Sequence, residues 1–194
     1  MINVIENAVG KSIFGKLTNA IFDRQFPWYY GPTAYATEEK NSLYDYSYSN
    51  SVLNDGVAHN QIGEMLAITM YNLSDVMQHD IKTILRIRLG SIPVTPKPII
   101  HTPHVDLEFP HKTALLYLND ADGDTVFYDL KYPPTAPLST DDYYLQNKKK
   151  MKIVERVKPE KNKFVWFDGF NYHSSTSPTK VDRRIVVTFN YITK

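Results

Sequence analysis

Three side chains of the sequence have the types and the spacing of a metal site. His104 and Asp106 are separated by one residue, and His173 lies further along the chain. On an extended strand, residues i and i+2 point to the same side, so His104 and Asp106 would converge on one point. Two imidazoles and one carboxylate on one face of an ion leave the opposite face open, as non-haem Fe(II) requires to bind substrate and O2. The sequence therefore predicts a metal ion held by His104, Asp106 and His173.

The interpretation depends on what surrounds this triad. A His-x-Asp triplet is common by chance, and His101 and His111 lie close to this one. Four segments that follow the triplet in a fixed order make a chance match less plausible. They belong to separate predicted strands and turns. They are TALLYLN at 113–119, DGDTVFY at 122–128, PEKNKFVWFDG at 159–169 and RRIVVTFN at 183–190.

Together with the triad, these segments resemble the 2-oxoglutarate/Fe(II)-dependent oxygenases, specifically the prolyl-hydroxylase-like branch. The sequence is especially similar to the small hydroxylase-like proteins of bacteriophages and marine bacteria. The resemblance covers roughly residues 84–192. It implies a double-stranded β-helix, the jelly-roll core shared with cupins. It also implies Fe(II), 2-oxoglutarate as co-substrate and O2, with ascorbate as an accessory reductant.

The resemblance further implies a basic residue on the last core strand that binds the far carboxylate of 2-oxoglutarate. Arginine suits this role because its planar fork matches a carboxylate bidentately. Arg183 and Arg184 compete for it. By strand alternation, Arg184 shares a face with Val186 and Thr188, whereas Arg183 shares a face with the bulky apolar Ile185. The small and polar face suits a pocket, so Arg184 is the preferred residue.

Two more residues match the family's co-substrate pocket. Tyr117, which precedes Leu-Asn, matches the tyrosine that contacts the same carboxylate, and Thr125 occupies the matching position after Asp122-Gly123. Ordinary strand packing remains the alternative explanation for both Tyr117 and Thr125.

The periodicity of apolar residues divides the chain into two parts. Helical spacing predicts helices at residues 12–22 and 61–77. Short β-rich runs separated by turn residues predict strands at 84–89, 112–118, 125–130, 151–157, 163–167 and 184–192. We therefore expect a mainly β (α+β) fold, a jelly roll with N-terminal helices packed on it. One domain would span residues 1–194, with a helical and loop part at about 1–80 and the jelly-roll core at about 81–194.

The region between the two helices has no clear period. Residues 33–56 are rich in Tyr, Ser and Asn, and this predicts a long loop or mobile segment. Its tyrosine-rich portion, residues 35–48, is either a lid over the active site or a loop pinned to the β core.

Composition excludes several classes of function. The chain contains no cysteine, which excludes disulfides, thiol catalysis and thiolate metal sites. The net charge of +1 gives no global attraction to nucleic acid or to an anionic membrane. Oxygenases that repair nucleic acid usually carry two arginines six residues apart near the last strand, but the position six after Arg184 is Asn190. No signal peptide or membrane-length apolar run is visible, so we expect a soluble, cytoplasmic protein.

These features favour a dioxygenase that hydroxylates a peptidyl residue of the prolyl type or a free amino acid. Its partners would be a peptide or small-molecule substrate, while the exact substrate and the oligomeric state stay open. The alternative is a non-catalytic jelly-roll module that binds a ligand without chemistry. The full set of His104, Asp106, His173 and an inward-facing arginine separates the two, because a binding module has no need of all four.

Overall fold

The computed structural model describes residues 1–32, 44 and 46–194. Its elements in chain order are β1 (Asn3–Ile5), α1 (Lys11–Ile21), β2 (Tyr29–Pro32), β3 (Tyr46–Asn54), β4 (Val57–Ala58), α2 (Gln61–Met77), β5 (Ile81–Pro93), β6 (Lys112–Tyr117), β7 (Thr125–Lys131), α3 (Thr140–Asn147), β8 (Ile153–Val157), β9 (Phe164–Asp168), β10 (Asn171–Ser175) and β11 (Arg183–Thr193).

Two antiparallel sheets form the body of the protein. The larger sheet runs in the order β1-β9-β6-β11-β5-β3-β2, with β4 paired to β3, and the smaller one runs β10-β7-β8. Leu115 and Tyr117 of β6 and Val186 of β11 share one buried cluster with Phe127 of β7 and Val157 of β8, so this core lies between the sheets. The two facing sheets confirm the predicted jelly roll, the double-stranded β-helix.

Helices α1 and α2 cover the opposite face of the larger sheet. In α1 the buried residues are Phe14, Leu17 and Ile21, which recur at intervals of three and four and so form one stripe. They join a core that includes Val187 and Phe189 of β11. Both predicted helices are confirmed to within a residue. Among the described residues, no helix is long and apolar enough to cross a membrane.

Strand β3 is the main departure from the sequence prediction. Residues 46–54 are not a loop but a strand that pairs with both β2 and β5. Polar Ser47 and Asn50 are buried in it, and a register shift between Ser51 and Leu53 breaks the two-residue period. Because of these features, the hydropathy pattern of residues 46–54 does not indicate a strand. The N-terminal part therefore adds strands as well as helices to the fold, whereas residues 33–43 and 45, which include most of the proposed lid, lie outside the described residues.

Two elements next to the site were also missed. Helix α3 begins after Ser139, whose hydroxyl accepts a hydrogen bond from the Asp142 N–H at 3.2 Å. Strand β10 carries His173 and is built from the polar sequence Asn-Tyr-His-Ser-Ser. It pairs with β7, opposite Val126 and Phe127, and so forms the edge of the smaller sheet.

Candidate active site

The backbones of His104 and His173 hold each other in register. The N–H of His104 donates to the carbonyl of His173 at 2.9 Å, and the N–H of His173 donates to the carbonyl of His104 at 3.0 Å. This pair is an isolated bridge, so the strand geometry assumed for His104 and Asp106 does not continue through residues 105 and 106. The single bridge is nevertheless sufficient to bring the two imidazoles to a centroid distance of 4.7 Å.

Asp106 completes the group. The ligand atoms of His104, Asp106 and His173 all lie within 4.8 Å of one another, and no fourth His, Asp or Glu of the described residues joins them. The Nε2 atom of His173 is 3.9 Å from the Oδ2 atom of Asp106. The structure thus brings together the three residues that the sequence proposed as metal ligands, with two nitrogens and one carboxylate, a donor set that fits Fe(II).

Both histidines present Nε2 to this cluster. Nδ1 of His104 lies 3.2 Å from the carbonyl of Thr102, and Nδ1 of His173 lies 3.1 Å from the carbonyl of Asn171. Because a carbonyl only accepts, each Nδ1 carries the proton and leaves the Nε2 lone pair free for a metal. Burial, together with the neighbouring His104, lowers the pKa of His173 to about 4 although Asp106 acts to raise it. His173 is therefore neutral near pH 7, the form that binds a metal.

Among the described residues, three donors hold the carboxylate of Asp106. Its Oδ1 accepts a hydrogen bond from Arg86 at 3.1 Å, and its Oδ2 accepts from Asn190 at 2.9 Å and from Thr113 at 3.2 Å. Burial by itself raises the pKa of Asp106, but Arg86 first and then His173 outweigh it, and the net pKa falls below its usual range. Asp106 is therefore ionised, as a metal ligand must be.

A second group of residues surrounds a buried guanidinium. Arg184 is 2% exposed and donates from Nη2 to the Oγ1 of Thr125 at 2.6 Å. The Tyr117 hydroxyl lies 2.6 Å from the same Thr125 oxygen, and the guanidinium carbon of Arg184 is 5.4 Å from the Tyr117 ring centroid. Arg183 instead lies over the ring of Phe22 at 5.4 Å, on the other side of the sheet. The three residues that the sequence proposed for the co-substrate thus occupy one cluster.

Arg184 has an unsatisfied donor. Its buried Nε has no hydrogen-bond partner among the described residues. Burial lowers the pKa of Arg184, but the guanidinium still carries its charge near pH 7. A buried cation with an unpaired N–H needs an anionic partner, so this group fits a carboxylate ligand.

One pocket connects the two groups. Its walls include His104, Asp106 and His173 as well as Thr125 and Arg184. Residues of the larger sheet also line the pocket, among them Arg86, Arg88, Leu115, Val186 and Thr188. The triad and the guanidinium therefore line one shared pocket.

The contacts of Arg86, Asn190 and Thr113 with Asp106 were not anticipated from the sequence. The sequence does indicate that Arg86 and Arg88 lie on one face of a strand, because they alternate with apolar residues there. Which side faces the metal depends on the strand order, which the sequence alone does not provide.

The comparisons with known proteins identify the fold by structure and not by sequence. No protein-family model matches the sequence, and no curated protein sequence is significantly similar to it. A prolyl hydroxylase from Trichoplax adhaerens, solved with a hypoxia inducible factor oxygen degradation domain peptide fragment, has a TM-score of 0.62 at 13% identity and covers 99% of this chain and 83% of that chain.

Two further solved structures are similar to this chain. The non-haem α-ketoglutarate-dependent epimerase SnoN from nogalamycin biosynthesis has a TM-score of 0.68 at 13% identity, with coverage of 99% of this chain and 78% of that chain. A Pseudomonas putida prolyl-4-hydroxylase has a TM-score of 0.55 at 12% identity, with coverage of 100% and 92%. At these identities the similarity establishes a shared fold over nearly the whole chain.

Proposed function

We propose that this chain is a 2-oxoglutarate- and Fe(II)-dependent oxygenase. The observation that carries the proposal is the occurrence, in one pocket, of the His104, Asp106 and His173 triad and the buried Arg184 with its unpaired Nε. The shared fold supports it, because SnoN has been solved in complex with Fe3+, α-ketoglutarate and nogalamycin RO. No single part of the site would be sufficient, but a metal triad and a carboxylate-binding arginine together match one reaction class.

The triad would hold the iron. His104 and His173 offer neutral Nε2 atoms, since each Nδ1–H is bonded to a backbone carbonyl, and Asp106 offers one negative charge. The bound ion keeps a net positive charge, which favours an anionic co-substrate. When bound, Fe(II) with 2-oxoglutarate and O2 supplies the oxidation of a substrate C–H bond, while 2-oxoglutarate is converted to succinate and CO2.

The other cluster would hold the far end of the co-substrate. The Nε–H of Arg184 would donate to the distal carboxylate of 2-oxoglutarate. The Tyr117 hydroxyl would support this site from behind, because it bonds to the same Thr125 oxygen that Arg184 contacts. Leu115 and Val186 also line the pocket, and their apolar side chains would help to exclude water from the bound co-substrate. Exclusion of water strengthens the hydrogen bonds to the bound dianion.

The substrate that we propose is a peptidyl residue of the prolyl type, or else a free amino acid. Among proteins with this fold, the Trichoplax prolyl hydroxylase was solved with a peptide and SnoN with nogalamycin RO, so the fold accepts both peptide and small-molecule partners. We further propose that residues 1–194 work as one domain, because β1 and β3 of the N-terminal part are strands of the same sheet as β11.

Succinate release from 2-oxoglutarate, with Fe(II) and ascorbate, tests the proposal. The assay is screened across proline-containing peptides and free amino acids, with chelator-treated protein as the control. Iron-dependent succinate formation that a substrate stimulates is the expected result. A non-catalytic jelly-roll module would bind a ligand and leave 2-oxoglutarate unconsumed.

A further inference from the structure

We propose that Arg86 binds a carboxylate of the substrate, so that the substrate is a free amino acid and not a residue within a peptide. This inference rests on the proposed function, because it chooses between the two substrate classes proposed for the same site. Arg86 lines the same pocket as His104, Asp106 and His173. A group bound to Arg86 would therefore lie beside the open face of the proposed metal site.

The guanidinium of Arg86 is only partly used by the protein. Its Nε donates to the Oδ1 of Asn190 at 2.9 Å, and its Nη2 donates to the Oδ1 of Asp106 at 3.1 Å. A guanidinium has five N–H donors, and in the described part of the chain Arg86 makes these two hydrogen bonds. The fork between Nη1 and Nη2 stays available, and such a fork matches the two oxygens of a carboxylate.

The same two bonds fix the direction of the unused fork. Asn190 of β11 is the direct cross-strand partner of Arg86 on β5, and Asp106 is itself held by Asn190 at 2.9 Å and by Thr113 at 3.2 Å. The side chain of Arg86 is 19% exposed and lines the pocket. The guanidinium is therefore oriented before a ligand binds, and this orientation lowers the entropic cost of binding.

Arg86 and Arg184 have separate positions along the pocket. Arg86 pairs with Asn190 at one end of β11, whereas Arg184 pairs with Ile92 at the other end. Arg184 would neutralise the distal carboxylate of 2-oxoglutarate. The positive charges of the ion, Arg184 and Arg86 together exceed the negative charges of Asp106 and 2-oxoglutarate. The loaded site thus keeps a net positive charge that favours an anionic substrate.

The position of Arg86 limits which carboxylates it can bind. Arg86 contacts Asp106, a proposed metal ligand, so a carboxylate on its fork would be only a few bonds away from the carbon that is oxidised. The α-carboxylate of a free amino acid meets this condition. In a residue within a peptide, the same carboxyl group is a neutral amide and cannot form a charge-assisted pair with the fork. A free amino acid therefore fits Arg86 better than a peptidyl residue.

The test compares the wild-type protein with Arg86→Gln, Arg86→Lys and Arg183→Gln, each loaded with Mn(II) and 2-oxoglutarate. Arg183→Gln is the matched control, because Arg183 lies over Phe22 and outside the pocket. Calorimetry measures the binding of the common L-amino acids, of their carboxamides, and of acetyl-aspartyl-amide and acetyl-glutamyl-amide. In the wild type, at least one free amino acid should bind about tenfold or more tightly than its amide, since a charged hydrogen bond is lost in the amide.

The variants should change this preference in a defined order. Arg86→Gln should bind the acid and the amide with about equal affinity, Arg86→Lys should keep part of the preference, and Arg183→Gln should keep all of it. Because acid and amide are compared on the same protein, a general loss of affinity in a variant does not alter the ratio. If Arg86→Gln does not fold, a crystal structure of the wild type with Mn(II), 2-oxoglutarate and the tightest amino acid must show its carboxylate on the Arg86 fork.

Several results would overturn the inference. These are equal binding of acid and amide by the wild type, a full preference for the acid in Arg86→Gln, and no binding of any amino acid at millimolar concentration. Binding of acetyl-aspartyl-amide or acetyl-glutamyl-amide alone would also overturn it, because the carboxylate would then belong to a side chain in a peptide. Failure of the wild-type protein to bind 2-oxoglutarate in the presence of Mn(II) would instead refute the proposed function.

Discussion

His104 and His173 exchange a reciprocal pair of backbone hydrogen bonds at 2.9 and 3.0 Å, and this bridge sets their imidazoles 4.7 Å apart. The two residues are far apart in sequence and belong to different kinds of segment, one an irregular chain after Pro103 and the other strand β10. The backbone therefore sets the spacing of the two imidazoles that we propose as metal ligands before any ion binds. This arrangement should let the ligand side chains be changed without loss of the fold.

Removal of a triad ligand should abolish turnover and spare the fold. His104→Ala and Asp106→Ala each take away a metal ligand, while the hydrophobic clusters on both faces of the larger sheet remain packed. Iron-dependent succinate formation should fall to background, and circular dichroism should still show a folded β protein. His59→Ala, which changes an exposed histidine outside the pocket, is the control. Succinate formation that survives in either triad variant would refute the assignment of that ligand.

Substitutions of the two adjacent arginines should differ sharply in their effect on the affinity for 2-oxoglutarate. Arg184→Lys replaces a buried fork by a point charge, and hydrogen bonds to charged groups contribute about 1.5–3 kcal/mol, so 2-oxoglutarate affinity should fall roughly tenfold or more. Arg183→Lys should leave the affinity unchanged, because Arg183 lies outside the pocket. Calorimetric titration of the Mn(II)-loaded variants measures both. The reverse ranking would move the carboxylate site to Arg183.

Tyr117→Phe decides between a co-substrate role and simple packing for Tyr117. The ring stays in the core, but the hydroxyl that bonds to Thr125 is lost. If this hydroxyl helps to hold the distal carboxylate, 2-oxoglutarate affinity should fall by a factor of about five, the value of one neutral hydrogen bond. Tyr191→Phe is a matched control, because Tyr191 is also fully buried but its hydroxyl bonds to His79 outside the pocket. Equal affinity in the two variants would favour packing alone.

His111 should make the protein less stable in mild acid. Burial is the largest cause that lowers its pKa, so the folded chain holds His111 neutral below pH 6.5 whereas the unfolded chain protonates it near that pH. The unfolded state then binds more protons, and the free energy of unfolding decreases as the pH falls from about 6.5 towards the lower folded pKa. Urea denaturation at pH 5 and pH 8 should show this difference. It should shrink in His111→Phe, whose ring can pack between Phe109 and Phe170. An equal difference in the variant would exclude His111 as the cause.

The parts of the fold with a clean apolar period were predictable from the sequence. Strand β11 alternates Ile185 and Val187 with residues of the pocket face, and this pattern also placed Arg184 inward. Strands β3 and β10 were missed because they bury polar residues such as Ser47 and Ser174 against the pocket. A polar lining is what a site requires, and it is also what removes the hydropathy signal.

The surroundings of the proposed metal ligands were less predictable than the three residues themselves. The triad could be proposed from residue types and order, but the bond between Arg86 and Asp106 joins residues from β5 and from an irregular segment. It depends on the register that sets Arg86 opposite Asn190 across two strands. Register follows from the pairing of whole strands and is not encoded locally near either residue.

The most direct test of the account is a crystal structure of the protein with Mn(II) and 2-oxoglutarate, because this experiment does not depend on the unknown substrate. The account predicts one ion bound by His104, Asp106 and His173, with the keto-acid end of 2-oxoglutarate on the ion. It also predicts the distal carboxylate within hydrogen-bond distance of the Arg184 Nε that has no partner among the described residues. An ion held elsewhere, or a pocket that binds no 2-oxoglutarate at millimolar concentration, would contradict it.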